Sequence, residues 1–161
     1  MERRKQYERI LAWMPAVFMA AAIFWFSAQP AEASTDMSDG VSRLFLWLGY
    51  RLGALDGPPE QYAELIGWMS YPVRKCAHVT EYLVFYLTLL LGLWKDGRLS
   101  WEKIFQAAMA GTFLYACTDE LHQLFVPGRA GQVTDVLIDS SGAFLLTLAL
   151  LWKRKRRRPK G

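Results

Sequence analysis

Five carboxylates stand inside stretches that are otherwise apolar: Glu81, Asp119, Glu120, Asp135 and Asp139. The two histidines, His78 and His122, share those stretches, and Arg74, Lys75 and Arg129 stand at their edges. Helical spacing sorts them into stripes: Lys75, His78, Glu81 and Tyr82 on one, Asp119 and Gln123 on a second, Asp135, Asp139 and Gly142 on a third. Three chemistries are open to such a set. Guanidinium and ammonium groups could hold a phosphate or carboxylate. A carboxyl or imidazole could move protons as general acid or base. His78, Glu81, Asp119, Glu120 and Asp135 also offer the imidazole and oxygen donors that a divalent metal takes. No H-E-x-x-H and no G-x-S-x-G is present, so neither a metalloprotease site nor a serine nucleophile is marked, and the cofactor stays unknown.

The elements that must carry these groups are long and apolar. Four stretches, 10–28, 76–94, 104–125 and 133–152, each hold about 20 residues, the length needed to cross ~30 Å of hydrocarbon as a helix. The expected fold is all-α: a polytopic membrane protein, a four-transmembrane-helix bundle forming a single domain over 1–161, with a basic tail at 153–161. Between the first two spans, residues 28–40 are rich in Ser and Asp. VSRLFLWLGYRL then reads as a short helix lying on the outer leaflet with Arg43 and Arg51 snorkelling. Gly57-Pro58-Pro59 breaks it, and a second short interfacial helix is predicted from about Glu60 to Tyr71. Trp47, Trp68 and Tyr71 read as interface anchors, and Val126-Pro127-Gly128-Arg129 predicts a type II turn.

Apolar residues make up 53% of the chain while 21% are charged, so the position of the charges decides the class. Of nineteen Lys and Arg, four precede the first span, three lie between the second and third, and seven follow the fourth. That bias sets both termini in the cytoplasm of a cell membrane crossed several times. The basic tail reads as an anchor on anionic lipid, and nucleic acid is not an expected partner. Ala31-Glu32-Ala33 resembles a signal-peptide cleavage site, but the preceding apolar run exceeds the usual length, so a retained anchor is expected. Cys76 and Cys117 lie in different spans without a C-x-x-C, and both read as small buried apolar residues.

A carboxylate at a helix centre costs ~2.5–3.5 kcal/mol on insertion scales, so five need a reason. Depth supplies one. With cytoplasmic termini, His78 and Glu81 open the second span, Asp119 to Gln123 close the third, and Asp135 and Asp139 open the fourth. All then fall within roughly 10 Å of the outer interface.

Read in order, Arg-Lys-x-x-His-x-x-Glu-Tyr (74–82), Thr-Asp-Glu-x-x-Gln-x-x-x-Pro-Gly-Arg (118–129) and Asp-x-x-x-Asp-x-x-Gly (135–142) resemble the VanZ-like family, and Phe-x-Phe-Ser-x-Gln-Pro (24–30) resembles the end of its first span. The resemblance covers about residues 10–150. It implies an integral membrane protein of the cell envelope and, for the family's namesake, low-level resistance to the glycopeptide teicoplanin. It implies no particular reaction. Asp139 stands where many members carry Asn, which also accepts hydrogen bonds.

The leading reading is a pocket open to the outer leaflet that binds an anionic or peptide-bearing lipid head group, such as that of a cell-wall precursor. Arg74, Lys75, Tyr82, Gln123, Arg129 and Asp139 would hold the ligand. The alternative is an intramembrane acid/base or metal-dependent enzyme acting on such a head group through His78, Glu81, Asp119, Glu120 and Asp135. Proton or ion passage needs polar groups through the full thickness, and the cytoplasmic halves of the spans lack them. A homo-oligomer is compatible with all three. The simplest competing account is polar glue between helices, at ~0.6 kcal/mol per bond.

Overall fold

The structure, a computed structural model, describes residues 2–157. Five helices account for most of them: α1 (Glu2–Ser27), α2 (Ala31–Arg51), α3 (Ala63–Asp96), α4 (Trp101–Gln123) and α5 (Val133–Arg157), with a short 3-10 turn at Pro59–Tyr62 before α3. The described residues contain no strand.

α3 is the central element and packs against each of the other helices. Its buried face runs Ile66, Ser70, His78, Tyr82, Phe85, Tyr86 and Gly92, a nearly continuous stripe at helical spacing. Ala16 and Ile23 of α1, Ala116 of α4 and Val136 of α5 close around Tyr82 and Phe85. A second core of Tyr86, Ala108 and Ala143 lies about two turns further along α3 than His78. Gly92 lets the Trp13 ring of α1 come so near that a Cβ there would stand 2.7 Å from it. Hydrogen bonds tie the helices at few points: Tyr115 donates to the Ala20 carbonyl at 2.6 Å, and Thr147 donates to the Tyr86 hydroxyl at 2.8 Å.

Outward-facing side chains are large and apolar. Leu11, Met14, Val17, Phe18 and Trp25 on α1, and Phe144, Leu145 and Leu148 on α5, are all exposed. A water-soluble surface does not sustain so much contiguous apolar area, whereas lipid accepts it. Three helical stretches are long and apolar enough to cross a membrane: Glu2–Ser27, Pro59–Asp96 and Val133–Arg156. α4 is not among them. Its 23 residues reach about 35 Å, but Ala, Gly, Thr and three acids lower its hydropathy, and much of it packs between α3 and α5.

The segment between the first two spans differs from its expected form. The Ser/Asp-rich stretch is helical: α2 starts at Ala31, straight after Pro30, and continues through the part predicted to lie on the leaflet. Ser34, Ser38, Ser42 and Leu46 form its buried stripe. Three hydroxyls satisfy themselves within the helix: Thr35 on the Ala31 carbonyl, Ser38 on that of Ser34 and Ser42 on that of Ser38, each at 2.9 Å. Small residues thus allow α2 to lie close along α3. The second short helix also merges into its neighbour, since α3 runs without a break through Pro72. Both cysteines are less enclosed than expected, Cys76 being exposed and Cys117 half-buried, because each lies off its helix's packed face.

Candidate functional site

The turn after α4 sets the position of everything around it. Arg129 N–H donates to the Val126 carbonyl at 3.1 Å, and Gly128 has φ +73°, the geometry of a type II turn with glycine at its third position. The Pro127 carbonyl accepts the Ala31 N–H at 3.1 Å, so the turn is fastened to the start of α2. The Arg129 guanidinium reaches back and donates from Nε to the Gln29 carbonyl at 3.2 Å. Beyond the turn, Gln132 N–H donates to Glu120 Oε2 at 2.8 Å and closes the loop onto the end of α4.

Beneath this turn lies a cavity of about 230 Å³. Arg74, Lys75 and His78 of α3, Glu120 and Gln123 of α4, Asp135 and Asp139 of α5, and Arg129 of the turn all line it. Eight of the eleven side chains singled out from the sequence therefore face one space. Three do not. Glu81 lines a neighbouring hollow between α2 and α3, also about 230 Å³, which shares Arg74, His78 and Arg129 with the first. Asp119 and Tyr82 are buried behind the cavity wall at 3% and 0% exposure. Helical spacing predicts one stripe for Lys75, His78, Glu81 and Tyr82, but only the first two line this cavity, because which side of a stripe meets it depends on how the helices are rotated. His122, the other histidine of the apolar stretches, lies elsewhere and stacks on Phe24 with ring centroids 4.6 Å apart.

The charges are unevenly paired. Lys75 Nζ and Asp135 Oδ2 are 2.5 Å apart, both side chains largely enclosed, and Lys75 also lies 5.5 Å over the Tyr71 ring. His78 Nδ1 and Glu81 Oε2 are 3.4 Å apart, close enough to attract but misaligned for a hydrogen bond. Arg74 donates from Nη2 to Thr35 Oγ1 at 2.7 Å, and its Nε is buried without a partner. Among the described residues neither Arg74 nor Arg129 makes an ion pair. Burial lowers the pKa of Arg129 from its ordinary range and the nearby Arg74 lowers it further, while Asp119 and Glu120 oppose the shift. Two neighbouring guanidiniums therefore share one cavity and repel each other.

Several buried polar atoms here are also unmatched: His78 Nδ1, Glu81 Oε2, the Tyr82 hydroxyl, Asp139 Oδ1 and Ser140 Oγ. The Tyr82 hydroxyl has the Asp119 and Asp139 side chains as neighbours. An unmatched buried polar atom costs about 1–3 kcal/mol, so such a concentration marks a place where something other than packing decides the residues. A metal centre is not assembled: among the described residues, no three His, Cys, Asp or Glu side chains converge to hold an ion. Lys75 has taken Asp135, and the Gln132 amide has taken one oxygen of Glu120.

Sequence reasoning missed Ser27, Thr35 and Gln132, and read Tyr71, which lines the cavity, only as an interface anchor. Ser27 is fully buried and accepts from Gln123 Nε2 at 3.0 Å, and the same amide lies 3.5 Å from Asp119 Oδ2. Gln123 thus orients Asp119 and ties α4 to α1. The serine in Phe-x-Phe-Ser-x-Gln-Pro was the available signal for this contact, since a polar residue closing an apolar span needs a partner.

No curated protein and no solved structure matches the chain. A family model described as VanZ/LLP1 matches residues 12–154, a range that takes in α2 to α4, most of α1 and α5, and every residue lining the cavity. The chain belongs to the VanZ/LLP1 family.

Proposed function

We propose that this protein is a four-span membrane protein of the cell envelope that binds the anionic head group of a lipid, such as a lipid-linked cell-wall precursor, in the cavity beneath the Pro127-Gly128 turn. The observation that carries this reading is the pair Arg74 and Arg129: two guanidiniums lining one cavity, neither with an ion-pair partner among the described residues. A phosphoryl or carboxylate group between them would remove their mutual repulsion and supply charge-assisted hydrogen bonds. Lys75, held by Asp135, contributes positive field more than a free ligand, Asp139 offers a carboxyl contact to the rest of the head group, and Gln123, its amide nitrogen engaged by Ser27 and Asp119, has only its carbonyl oxygen to offer. α4 serves as the fourth span, shielded by α3 and α5. With four spans and the basic segments at 2–9, 95–103 and beyond 152 on one side, the cavity opens to the outer leaflet.

Binding of this kind would connect the protein to glycopeptide action, because drugs such as teicoplanin compete for the same envelope precursors. The test is direct. Native mass spectrometry of the detergent-extracted protein should find a bound anionic lipid, and Arg74→Ala or Arg129→Ala should each weaken its binding about 10- to 100-fold, the value of a charge-assisted hydrogen bond of ~1.5–3 kcal/mol. Full retention in both variants would remove the proposal.

One observation favours a second reading, an acid–base enzyme acting on the same head group. His78 and Glu81 stand 3.4 Å apart beside Arg74, with His78 opening into the cavity, a pairing suited to proton transfer next to a bound anion. Conversion of the bound lipid, lost in His78→Ala while the lipid still binds, would favour the enzyme over the binding module.

A further inference from the structure

The polar cavity has an apolar neighbour. Glu120 and Gln132 line it on one side, and on the other they line a hollow of about 380 Å³ between α4 and α5, walled by Cys117, Leu121, Leu124, Val136 and Leu137 among others. The waist between the two spaces is built from backbone. Gly131 lies so near the end of α4 that a Cβ there would collide with the Glu120 carbonyl and the Leu124 side chain. The Gln132 amide then holds the Glu120 carboxylate in place at 2.8 Å.

We infer that the hollow between α4 and α5 receives a hydrocarbon chain of the same lipid whose phosphoryl group lies between Arg74 and Arg129. This inference rests on the head-group reading above and extends it to the rest of the molecule. The two spaces meet at Glu120 and Gln132, with unpaired cations on one side and a wall of Leu, Val and Phe on the other. That sequence of environments matches an amphiphile entering head first. Glu120 at the waist is a buried acceptor with one oxygen engaged, so it suits a hydroxyl or ammonium donor close to the phosphoryl group. The ligand class is a phospholipid that carries such a donor in its head group. The hollow between α2 and α3 is a poorer channel for a chain: it is smaller, and Ser34, Ser38, Arg74, Glu81 and Arg129 interrupt its walls. In the α4–α5 hollow only Glu120 and Gln132 are polar, apart from the weakly polar Cys117 thiol.

The experiment uses the full chain in phosphatidylcholine nanodiscs containing phosphatidylglycerol with a diazirine at the end of one acyl chain. After photolysis, adducts are mapped by peptide mass spectrometry. Adducts should concentrate on Leu121, Leu124 and Leu137, should be competed by unlabelled phosphatidylglycerol but not by phosphatidylcholine, and should fall about tenfold in Arg129→Ala, the loss expected from one charge-assisted contact. Leu137→Trp, which fills the hollow without touching the arginines, should reduce adducts at Leu121 and Leu124. Adducts at Met37 and Val41 that still depend on Arg129 would overturn the chain's route while leaving the head-group site standing. Adducts spread over lipid-facing positions such as Phe18 and Leu145, indifferent to competition and to both arginines, would overturn both.

Discussion

Residue identity here separates groups that hold the site together from groups left free to act. Lys75 and Asp135 bridge α3 and α5 at 2.5 Å, each about 15% exposed, so either one alone would be a poorly solvated charge. Lys75→Met or Asp135→Asn should therefore lower stability by about 3 kcal/mol, and the double variant should recover much of that loss, because breaking a buried pair is costlier than replacing it. Unfolding in detergent across the four proteins of this double-mutant cycle measures the coupling, and additive losses would deny the bridge. Arg74 and Arg129 belong to the other group. Their donors reach a threonine hydroxyl and a backbone carbonyl, neither of which neutralises a charge. Gln123 belongs with the first group, since it links Ser27 to Asp119 through two buried contacts.

At the scale of elements, the turn at 126–129 does more than reverse the chain. Gly128 combines a φ of +73° with a Cβ position only 3.0 Å from the Ala31 Cβ, so it meets both the backbone limit and the packing limit on a side chain. Gly128→Ala should cost ~1–2 kcal/mol from the left-handed backbone alone, and should also loosen the Pro127–Ala31 link that fastens the turn to α2. Thermal unfolding of the variant, with proteolysis after Gln29 as a second readout, checks both effects. Much of this was legible beforehand, because Pro-Gly between two apolar runs has one favoured geometry. α2 was not. A stretch of Ala, Ser, Thr and Asp has little apolar periodicity, and its helix is held by a face of small residues lying on α3, a partner that the local sequence does not reveal.

For the whole molecule, the aromatic and basic residues mark two ends. Lys95 lies over Trp94 and Arg156 over Trp152 at one end, while Arg51 lies over Trp47 and Lys75 over Tyr71 at the other. The proposed arrangement, four spans with cytoplasmic termini, would put the first set inside. In a background with Cys76 and Cys117 changed to Ala, an impermeant maleimide should label Asp56→Cys in intact cells and label Arg98→Cys only after lysis. The reverse pattern would invert the orientation and turn the cavity toward the cytoplasm. Equal labelling of both sites in intact cells would count against α3, the helix between them, as a span.

Sequence alone determined the helical class, three of the four expected apolar spans, the type II turn and the helices on which the unusual charges stand, because each follows from periodicity, hydropathy or the φ preference of one residue. Tertiary structure alone decided which charges remain free. Lys75, Arg74 and Arg129 read alike as cations at the mouth of a bundle, yet one is committed to Asp135 and two are left together in a cavity. Asp119 and Glu120 are adjacent in the chain, yet about 100° of helical turn puts one behind the wall and the other on it. Pairing depends on distance between helices and on their rotation about their own axes, and neither is encoded within a single span.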